Sequence, residues 1–180
     1  SQHTLDNILT VLRRIFPDPE QSRAQIGQLA GYLTLDALIG NTDRHHENWG
    51  VLRRTTTDSS FEARLAPSFD HASSLGRNAP HQERERRLRE GSLETYVRRG
   101  RGGIYLTTTD QRGANPLELV LQVAPTMLEV FQPWLARVRA LSSASIQRMI
   151  DAVPETLMDS TAKRFTRAFV EYTRTQLCLL

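Results

Sequence analysis

Apolar residues recur at helical spacing along most of the chain, and this pattern predicts a mainly α fold. The first apolar stripe predicts a helix over 5–16, which Pro17 ends because proline cannot continue a helix. A second stripe predicts a helix through 26–39 that ends at Gly40, since glycine is common just past helix ends.

The C-terminal part of the chain shows the same helical pattern, interrupted by prolines. Pro116 can begin a helix at its first turn, and Pro125 and Pro154 separate the segments that follow. The predicted helices there cover 117–123, 126–141, 143–152 and 160 to the end. Upstream of them, 81–90 is predicted to be an exposed helix and the glycine-rich 98–115 to be irregular.

Two short strand-like runs lie between the second helix and the exposed helix. Residues 51–52 and 61–65 flank the polar stretch 55–60, a pattern that predicts a β-hairpin. Polar loops precede and follow this hairpin, at 41–48 and 67–78. The predicted fold is therefore mainly α, with one small hairpin between two polar loops.

The composition is typical of a globular domain of the cytoplasm. Hydrophobic residues make up 39% of the 180-residue chain, enough to form a core without covalent crosslinks. The one cysteine, Cys178, cannot form an internal disulfide, and no apolar stretch is long enough to span a membrane. We therefore expect a single domain over 1–180 that is cytoplasmic and has no membrane partner.

The net charge of +3 arises largely from one segment, 84–101, in which arginines are mixed with glutamates. Such a basic segment can attract phosphates or nucleic acid. Alternatively, the glutamates pair with arginines three or four residues away along a solvated helix face. The second interpretation is the favoured one.

The loop 41–48 and the segment 68–70 hold the residue types that phosphoryl transfer from ATP requires. The reaction needs a carboxylate that deprotonates the acceptor hydroxyl and hard oxygen ligands for Mg²⁺. Asp43 is placed to act as the base, and Asn48, five residues later, supplies an amide oxygen for the metal. After the hairpin, Asp70 supplies a carboxylate, which suits Mg²⁺ because both are hard.

The order of residues in this loop resembles that of the HipA-like serine/threonine kinases of bacteria. In Asp43-Arg44-His45 the basic residues follow the aspartate, whereas in common protein kinases they precede it. The phosphatidylinositol kinases share this order, but the segments 35–40 and 72–75 look more like the HipA-like family. The close resemblance covers about residues 30–80.

This resemblance implies the helical C-terminal lobe of a HipA-like kinase, which phosphorylates a protein substrate with ATP and Mg²⁺. Asp43 matches the family's catalytic aspartate, and Asn48 and Asp70 match the ligands of the Mg²⁺ cofactor. His45 is expected to contact a phosphate or to position Asp43, and Arg44 is a weaker candidate for the site. Some members are toxins held inactive by a small DNA-binding antitoxin, so such an antitoxin is an expected partner.

The nucleotide-binding lobe of a kinase has no counterpart in this sequence. A kinase needs a Gly-rich loop and a lysine on an N-terminal lobe. The one lysine, Lys163, lies in the last predicted helix, and the glycines of 100–103 follow the Asp70 segment instead of preceding Asp43. We expect the missing N-terminal lobe to belong to a longer chain, which the start at Ser1 favours, or to a separate subunit.

Other interpretations of the same residues remain open. The lobe could be a non-catalytic module that binds an antitoxin-like or DNA-bound partner through 84–101, or it could belong to a lipid kinase. A transition-metal site of a phosphohydrolase would use four side chains: Asp43, His45, Asp70 and His71. Asn48 and the hairpin would have no role in that site.

Three further residues near the site have both a structural and a functional interpretation, and a fourth has an expected packing role. Asp36 could orient the loop from behind or lie solvated on its helix. Ser73 and Ser74 could be phosphorylation sites, although such serines more often form turns. Trp49 is expected to pack under the loop and not to touch substrate.

Overall fold

The computed structural model describes residues 3–55 and 61–180. Within these ranges the chain is mainly helical with one two-stranded antiparallel sheet, which confirms the predicted fold class. The helices are Leu5–Ile15 (α1), Pro19–Ile39 (α2), His81–Glu90 (α3), Leu93–Arg99 (α4), Pro116–Val123 (α5), Leu128–Ala140 (α6), Ser143–Asp151 (α7) and Ser160–Cys178 (α8), with a 3₁₀ turn at Ala124–Met127. The strands are Val51–Thr55 (β1) and Phe61–Leu65 (β2). No helix in the described part of the chain combines the length and apolar character needed to cross a membrane.

Helix α2 begins earlier than its apolar stripe predicts, because its start is set by a cap. The side chain of Asp18 accepts a hydrogen bond from the Gln21 N–H, and Pro19 occupies the first helical position. The helix ends at Gly40, as predicted: this glycine has a left-handed φ of 63° and its N–H bonds to the Asp36 carbonyl.

Helix α2 is the centre of the fold, with α1, α5, α6 and α8 packed around it. Its buried residues therefore lie on several sides of the helix, among them Leu29, Leu33 and Ala37. On the side of α6, Gly31 allows close approach: a Cβ there would lie 2.5 Å from the ring of Trp134. A central helix enclosed in this way gives a rigid base to the loop that follows it.

Aromatic residues of α8 support the two polar loops from below. Phe165 and Phe169 are buried, and Tyr96 packs edge-on against Phe165 with ring centroids 5.2 Å apart. A Cβ at Gly40 would overlap the ring of Phe169, and one at Gly76 would overlap that of Phe165. Gly40, at the start of the first loop, and Gly76, within the second, therefore lie directly against buried rings of the core.

The hairpin between the loops is confirmed, with a register that runs from Val51 opposite Leu65 to Thr55 opposite Phe61. It is joined to α2 at the end of β2, where the Leu65 N–H donates to Gln25 Oε1 at 2.8 Å. Most of the predicted turn at 55–60 lies outside the described residues.

Helix α4 is an element that the sequence pattern missed. It has seven residues, of which only Val97 is buried, so it presents no apolar stripe to detect. The chain after it is irregular, as predicted, except that Tyr105 forms a parallel bridge with Thr4 ahead of α1.

Candidate active site

The loop 41–48 leaves α2 through Asn41, whose side chain is fully buried. Asn41 Nδ2 donates to Asp36 Oδ1 at 2.9 Å, and Asn41 Oδ1 accepts from the Asp43 N–H at 3.1 Å. One side chain therefore joins the helix to the backbone of Asp43. Sequence reasoning had not assigned this role to Asn41, because its two partners are identified only in three dimensions.

Asp43 has a fixed backbone and an accessible carboxylate. Its carbonyl accepts from Asn48 Nδ2 at 2.7 Å and from the His45 N–H at 2.8 Å. Its side chain is 44% exposed. A general base needs this combination, because the carboxylate must be held in place and still reach a substrate proton.

His45 lies next to the Asp43 carboxylate, with 3.7 Å between Nε2 and Oδ1. Its other ring nitrogen, Nδ1, accepts a hydrogen bond from the Glu47 N–H at 3.2 Å. In a neutral ring the proton therefore sits on Nε2, facing Asp43. The distance is too long for a hydrogen bond, so the His45 ring lies beside the Asp43 carboxylate without bonding to it.

The orientation of the Asn48 amide leaves its oxygen free for a ligand. The residue is buried, and its Nδ2 is committed to the Asp43 carbonyl. If the amide were flipped, Asn48 Oδ1 would face the Asp43 carbonyl oxygen, and two acceptors cannot form a hydrogen bond. The bond from Nδ2 therefore fixes Oδ1 as the atom that faces away from Asp43. Among the described residues nothing donates to Asn48 Oδ1. An unpaired amide oxygen of this kind fits the predicted role as a Mg²⁺ ligand.

Arg44 and Asp36 form a buried ion pair behind the loop, 2% and 3% exposed respectively. Arg44 Nε donates to Oδ2 of Asp36 at 2.7 Å and Nη2 donates to Oδ1 at 2.9 Å. This two-pronged geometry settles the choice left open for Asp36: it orients the loop from behind. Arg44 points into the fold and holds the loop in place.

The same guanidinium group also holds the second loop. Arg44 Nη2 donates to Ser68 Oγ at 2.8 Å, and Nη1 donates to the carbonyls of Phe69, at 3.2 Å, and Asn48. The Phe69 carbonyl belongs to the peptide group that precedes Asp70. Arg44 directly follows Asp43 in the chain, and its side chain is bonded to the backbone that carries Asp70.

Asp70 projects from this backbone in an unusual conformation. Its φ of 53° lies in the left-handed region, which costs energy for a residue with a side chain. Its carboxylate is exposed and forms no hydrogen bond or ion pair with a described residue. Strain and a free carboxylate at one position are features of functional sites.

His71 turns to a neighbour on its own loop, where its Nε2 shares a hydrogen bond with Ser68 Oγ at 2.8 Å. Among residues 3–55 and 61–180, no three His, Cys, Asp or Glu side chains are grouped so that they could hold a metal ion. The transition-metal alternative built on Asp43, His45, Asp70 and His71 therefore gains no support from the geometry.

The second loop is also tied to the first further along. The Thr42 N–H and hydroxyl both donate to the Ser73 carbonyl, at 3.2 and 3.3 Å, and the Leu75 N–H donates to Ile39 at 2.7 Å. Ser74 is buried, and its hydroxyl has no hydrogen-bond partner in the described part of the chain. The Ser73 backbone therefore joins the two loops, whereas the Ser74 hydroxyl does not make the backbone bond that the turn-forming interpretation expects.

The glycine-rich stretch 100–103 packs behind the loop, backbone against backbone. A Cβ at Gly103 would lie 2.8 Å from the backbone N and Cα atoms of His45. On the other side of this contact, His3 Nδ1 bonds to the Gly103 carbonyl at 2.7 Å, and Trp49 Nε1 donates to His3 Nε2 at 3.0 Å. These glycines therefore support the catalytic-loop candidate by close packing.

The basic segment 84–101 follows the favoured interpretation for three of its seven arginines. Arg86 and Arg87 both pair with Glu83, and Arg98 pairs with Glu94 at 2.7 Å. These partners stand three or four residues apart on α3 and α4, as expected for a helix face.

Comparison with known proteins identifies a kinase-like fold. No family model matches the chain, and no curated protein matches it in sequence. Among solved structures, the Helicobacter pylori proinflammatory kinase CtkA matches 97% of this chain with a TM-score of 0.74 and 21% sequence identity. The chain spans 57% of the length of that kinase. At this level of identity the likeness shows the fold alone, so membership of the HipA-like family stays a prediction.

Proposed function

We propose that this chain is the catalytic lobe of an ATP- and Mg²⁺-dependent protein serine/threonine kinase of HipA type. The observation that carries the proposal is the contact of Arg44 with both loops. A buried guanidinium group sets the Asp43 loop and the Asp70 segment side by side on a kinase-like fold. Phosphoryl transfer depends mainly on positioning and electrostatics, and this contact supplies positioning.

In this proposal Asp43 acts on the acceptor. Its carboxylate accepts the proton of a serine or threonine hydroxyl as the γ-phosphoryl group moves in line from ATP to that oxygen. The hydrogen bonds to its N–H and carbonyl keep the carboxylate aimed while the substrate approaches. His45, whose Nε2 lies 3.7 Å from this carboxylate, would help to position Asp43.

Asn48 and Asp70 are the proposed Mg²⁺ ligands, and both have a free oxygen to offer. Bound Mg²⁺ would neutralise charge on the ATP phosphates. Asn48 presents a fixed amide oxygen, and Asp70 presents a carboxylate whose backbone is held through the Phe69 carbonyl. Rigid attachment of both residues keeps these oxygens in place before the ligand arrives.

The remaining parts of the proposal rest on the sequence resemblance. An N-terminal lobe, from the same longer chain or another subunit, would supply the lysine and Gly-rich loop that hold ATP. A protein substrate and a small DNA-binding antitoxin are the proposed partners. A role as the toxin of a toxin–antitoxin pair follows from the same resemblance.

Transfer of radiolabelled γ-phosphate to protein tests this function, in the full-length kinase or in this chain reconstituted with its N-terminal lobe. We expect Asp43→Ala and Asp70→Ala each to lower transfer by about 10²-fold or more. The control is Asp151→Ala, which removes an exposed carboxylate on α7 and should leave transfer unchanged. Normal transfer by both site variants would contradict the kinase assignment.

A further inference from the structure

A cleft of about 330 Å³ opens beside the candidate active site. Thr42 of the first loop and Ser73 of the second form one wall, and the C-terminal end of α4 forms another. Its lining includes apolar residues such as Val97 and Phe169. The cleft is therefore concave and partly apolar. Thr42, one of its lining residues, immediately precedes Asp43 in the chain.

Two arginines line this cleft with uncommitted guanidinium groups. Arg77 follows the second loop and Arg99 ends α4, and both side chains are exposed. Neither guanidinium forms a hydrogen bond or ion pair with any residue of 3–55 or 61–180. By contrast, nearby Arg87 and Arg98 are paired with glutamates. Free guanidinium groups in a concave site are suited to carboxylate or phosphate, which they bind with paired hydrogen bonds.

The acidic residue that lines the cleft, Glu83, is already compensated. Arg86 donates to it from Nε at 3.0 Å and Arg87 from Nε at 2.7 Å. These hydrogen bonds, first from Arg86 and then from Arg87, lower the pKa of Glu83, so it stays ionised and paired. Arg84 adds a further positive charge behind the wall, where it donates to the Gly76 and Arg77 carbonyls. The electrostatic character of the cleft is therefore positive.

We propose that this cleft binds an anionic side chain, a carboxylate or a phosphate monoester, of the polypeptide that carries the acceptor hydroxyl. The proposal rests on the proposed kinase function. Thr42 and Asp43 are consecutive, with Cα atoms about 3.8 Å apart, and an extended peptide advances about 3.3 Å per residue. A side chain in the cleft would thus belong to a residue within a few positions of the acceptor.

A polypeptide fits the cleft better than a nucleic acid does. A nucleic-acid surface follows a phosphate backbone with a run of free basic groups. Here the arginines along α3 are largely paired with glutamates, and the two free arginines of this region, Arg77 and Arg99, line one concave site. The apolar lining also suits the aliphatic part of an amino-acid side chain.

Peptide binding to the 180-residue chain tests the inference without ATP. Libraries of short serine peptides carry glutamate, phosphoserine or alanine at one position at a time, and fluorescence anisotropy measures their affinity. We expect an anionic residue at one or more positions near the serine to tighten binding about tenfold over alanine. Comparison of the glutamate and phosphoserine libraries identifies which anion the cleft prefers.

Variants locate the effect within the cleft. Arg77→Gln and Arg99→Gln should each reduce the preference for anionic peptides, and the double variant should abolish it. Arg89→Gln is the matched control, because Arg89 is an exposed arginine of α3 outside the cleft. Equal affinity for anionic and neutral peptides would overturn the inference. A loss of the anionic-peptide preference in Arg89→Gln as large as that in the cleft variants would also overturn it. So would Arg77-dependent binding of a labelled oligonucleotide combined with no preference among the peptides.

The outcome separates this inference from the kinase proposal. The Asp43→Ala variant should keep its full preference for anionic peptides, because Asp43 does not line the cleft. Peptide preference in this chain, together with no phosphate transfer by the full-length or reconstituted protein, would therefore refute the kinase and leave the cleft as a binding site. Phosphate transfer without a preference for anionic peptides would refute the proposed role of the cleft and leave the kinase proposal standing.

Discussion

The guanidinium group of Arg44 and the carboxylate of Asp36 lie where α2, the first loop and the second loop meet. Both are almost fully buried, with N–O distances of 2.7 and 2.9 Å. We predict that Asp36→Asn or Arg44→Met lowers the free energy of unfolding by about 3–5 kcal/mol, since each change leaves a buried charge without its partner. Urea denaturation followed by circular dichroism measures the effect.

An exposed ion pair on the hairpin provides the control for this prediction. Arg54 and Glu62 are also 2.7 Å apart, but both side chains are mostly exposed to solvent. Arg54→Met should therefore change stability by no more than about 0.5 kcal/mol. The double variant Asp36→Leu/Arg44→Met should recover part of the loss, because it leaves neither charge unpaired. Similar losses in the hairpin and loop variants would contradict the role of burial.

At the scale of single residues, the sequence indicates some residues of the candidate site and not others. Asp43, Asn48 and Asp70 were predicted because their spacing along the chain reflects the chemistry they would share. The anchoring role of Arg44 depends on a partner 24 residues away, Ser68, and the packing role of Gly103 depends on contact with a distant loop. Contacts between residues remote in sequence leave no periodic signal, so only the structure reveals them.

Helix α2 offers a matched pair of glycines for a test of packing. A Cβ at Gly31 would lie 2.5 Å from the Trp134 ring, whereas a Cβ at Gly27 would meet no atom within 4 Å. We predict that Gly27→Ala stabilises the fold by about 0.5–1 kcal/mol, because alanine favours a helix more than glycine does. Gly31→Ala should instead destabilise it by about 1–3 kcal/mol through overpacking. Thermal unfolding measures both, and stabilisation by both would show that α6 can move away.

The segment ahead of α1 is held by a histidine in one protonation state. His3 Nδ1–H donates to the Gly103 carbonyl, while Nε2 accepts from Trp49 Nε1–H, so the ring must be neutral. Burial lowers the pKa of His3, with smaller contributions from His46 and then His45, and the bond to Gly103 opposes this shift. The unfolded chain therefore binds the proton more readily than the folded one.

The sign of the resulting pH dependence follows from linkage. The contribution of His3 to stability is complete above the unfolded pKa of about 6.5 and is lost as the pH falls through the lowered folded pKa. We predict that stability falls as the pH drops below about 6.5, and less steeply in His3→Gln, which cannot titrate. Urea unfolding at a series of pH values, followed by tryptophan fluorescence, measures the slopes. Identical slopes in the two proteins would contradict the assignment.

Among the elements, prediction succeeded where an apolar stripe was long. Helices α1, α2 and α8 were each predicted from such a stripe, and the hairpin from two short strand-like runs around a polar turn. Helix α4 was missed because it buries one residue in seven. The early start of α2 was missed because an Asp18–Pro19 cap, and not hydrophobicity, determines where that helix begins.

The whole molecule has a kinase-like fold but contains one lysine, Lys163, in α8. Its Nζ lies 3.4 Å from Glu155 Oε2 and from the Asp151 carbonyl, so it is committed to the α7–α8 region. In the proposed kinase, the contacts of this chain to ATP phosphates would therefore be made through Mg²⁺ held by Asn48 and Asp70. A kinase ordinarily adds a lysine and a Gly-rich loop to such contacts.

We predict that the 180-residue chain alone binds Mg²⁺–ATP with a dissociation constant of about 1 mM or weaker. Removal of Mg²⁺ by chelation, or Asp70→Ala, should abolish this binding, whereas Asp151→Ala should not change it. Isothermal titration calorimetry measures the affinity of each form. Micromolar binding that survives Asp70→Ala would place the nucleotide elsewhere on the chain and contradict the proposed metal ligands. Weak binding that requires both Asp70 and Mg²⁺ would instead support a lobe that needs a second one to hold its nucleotide.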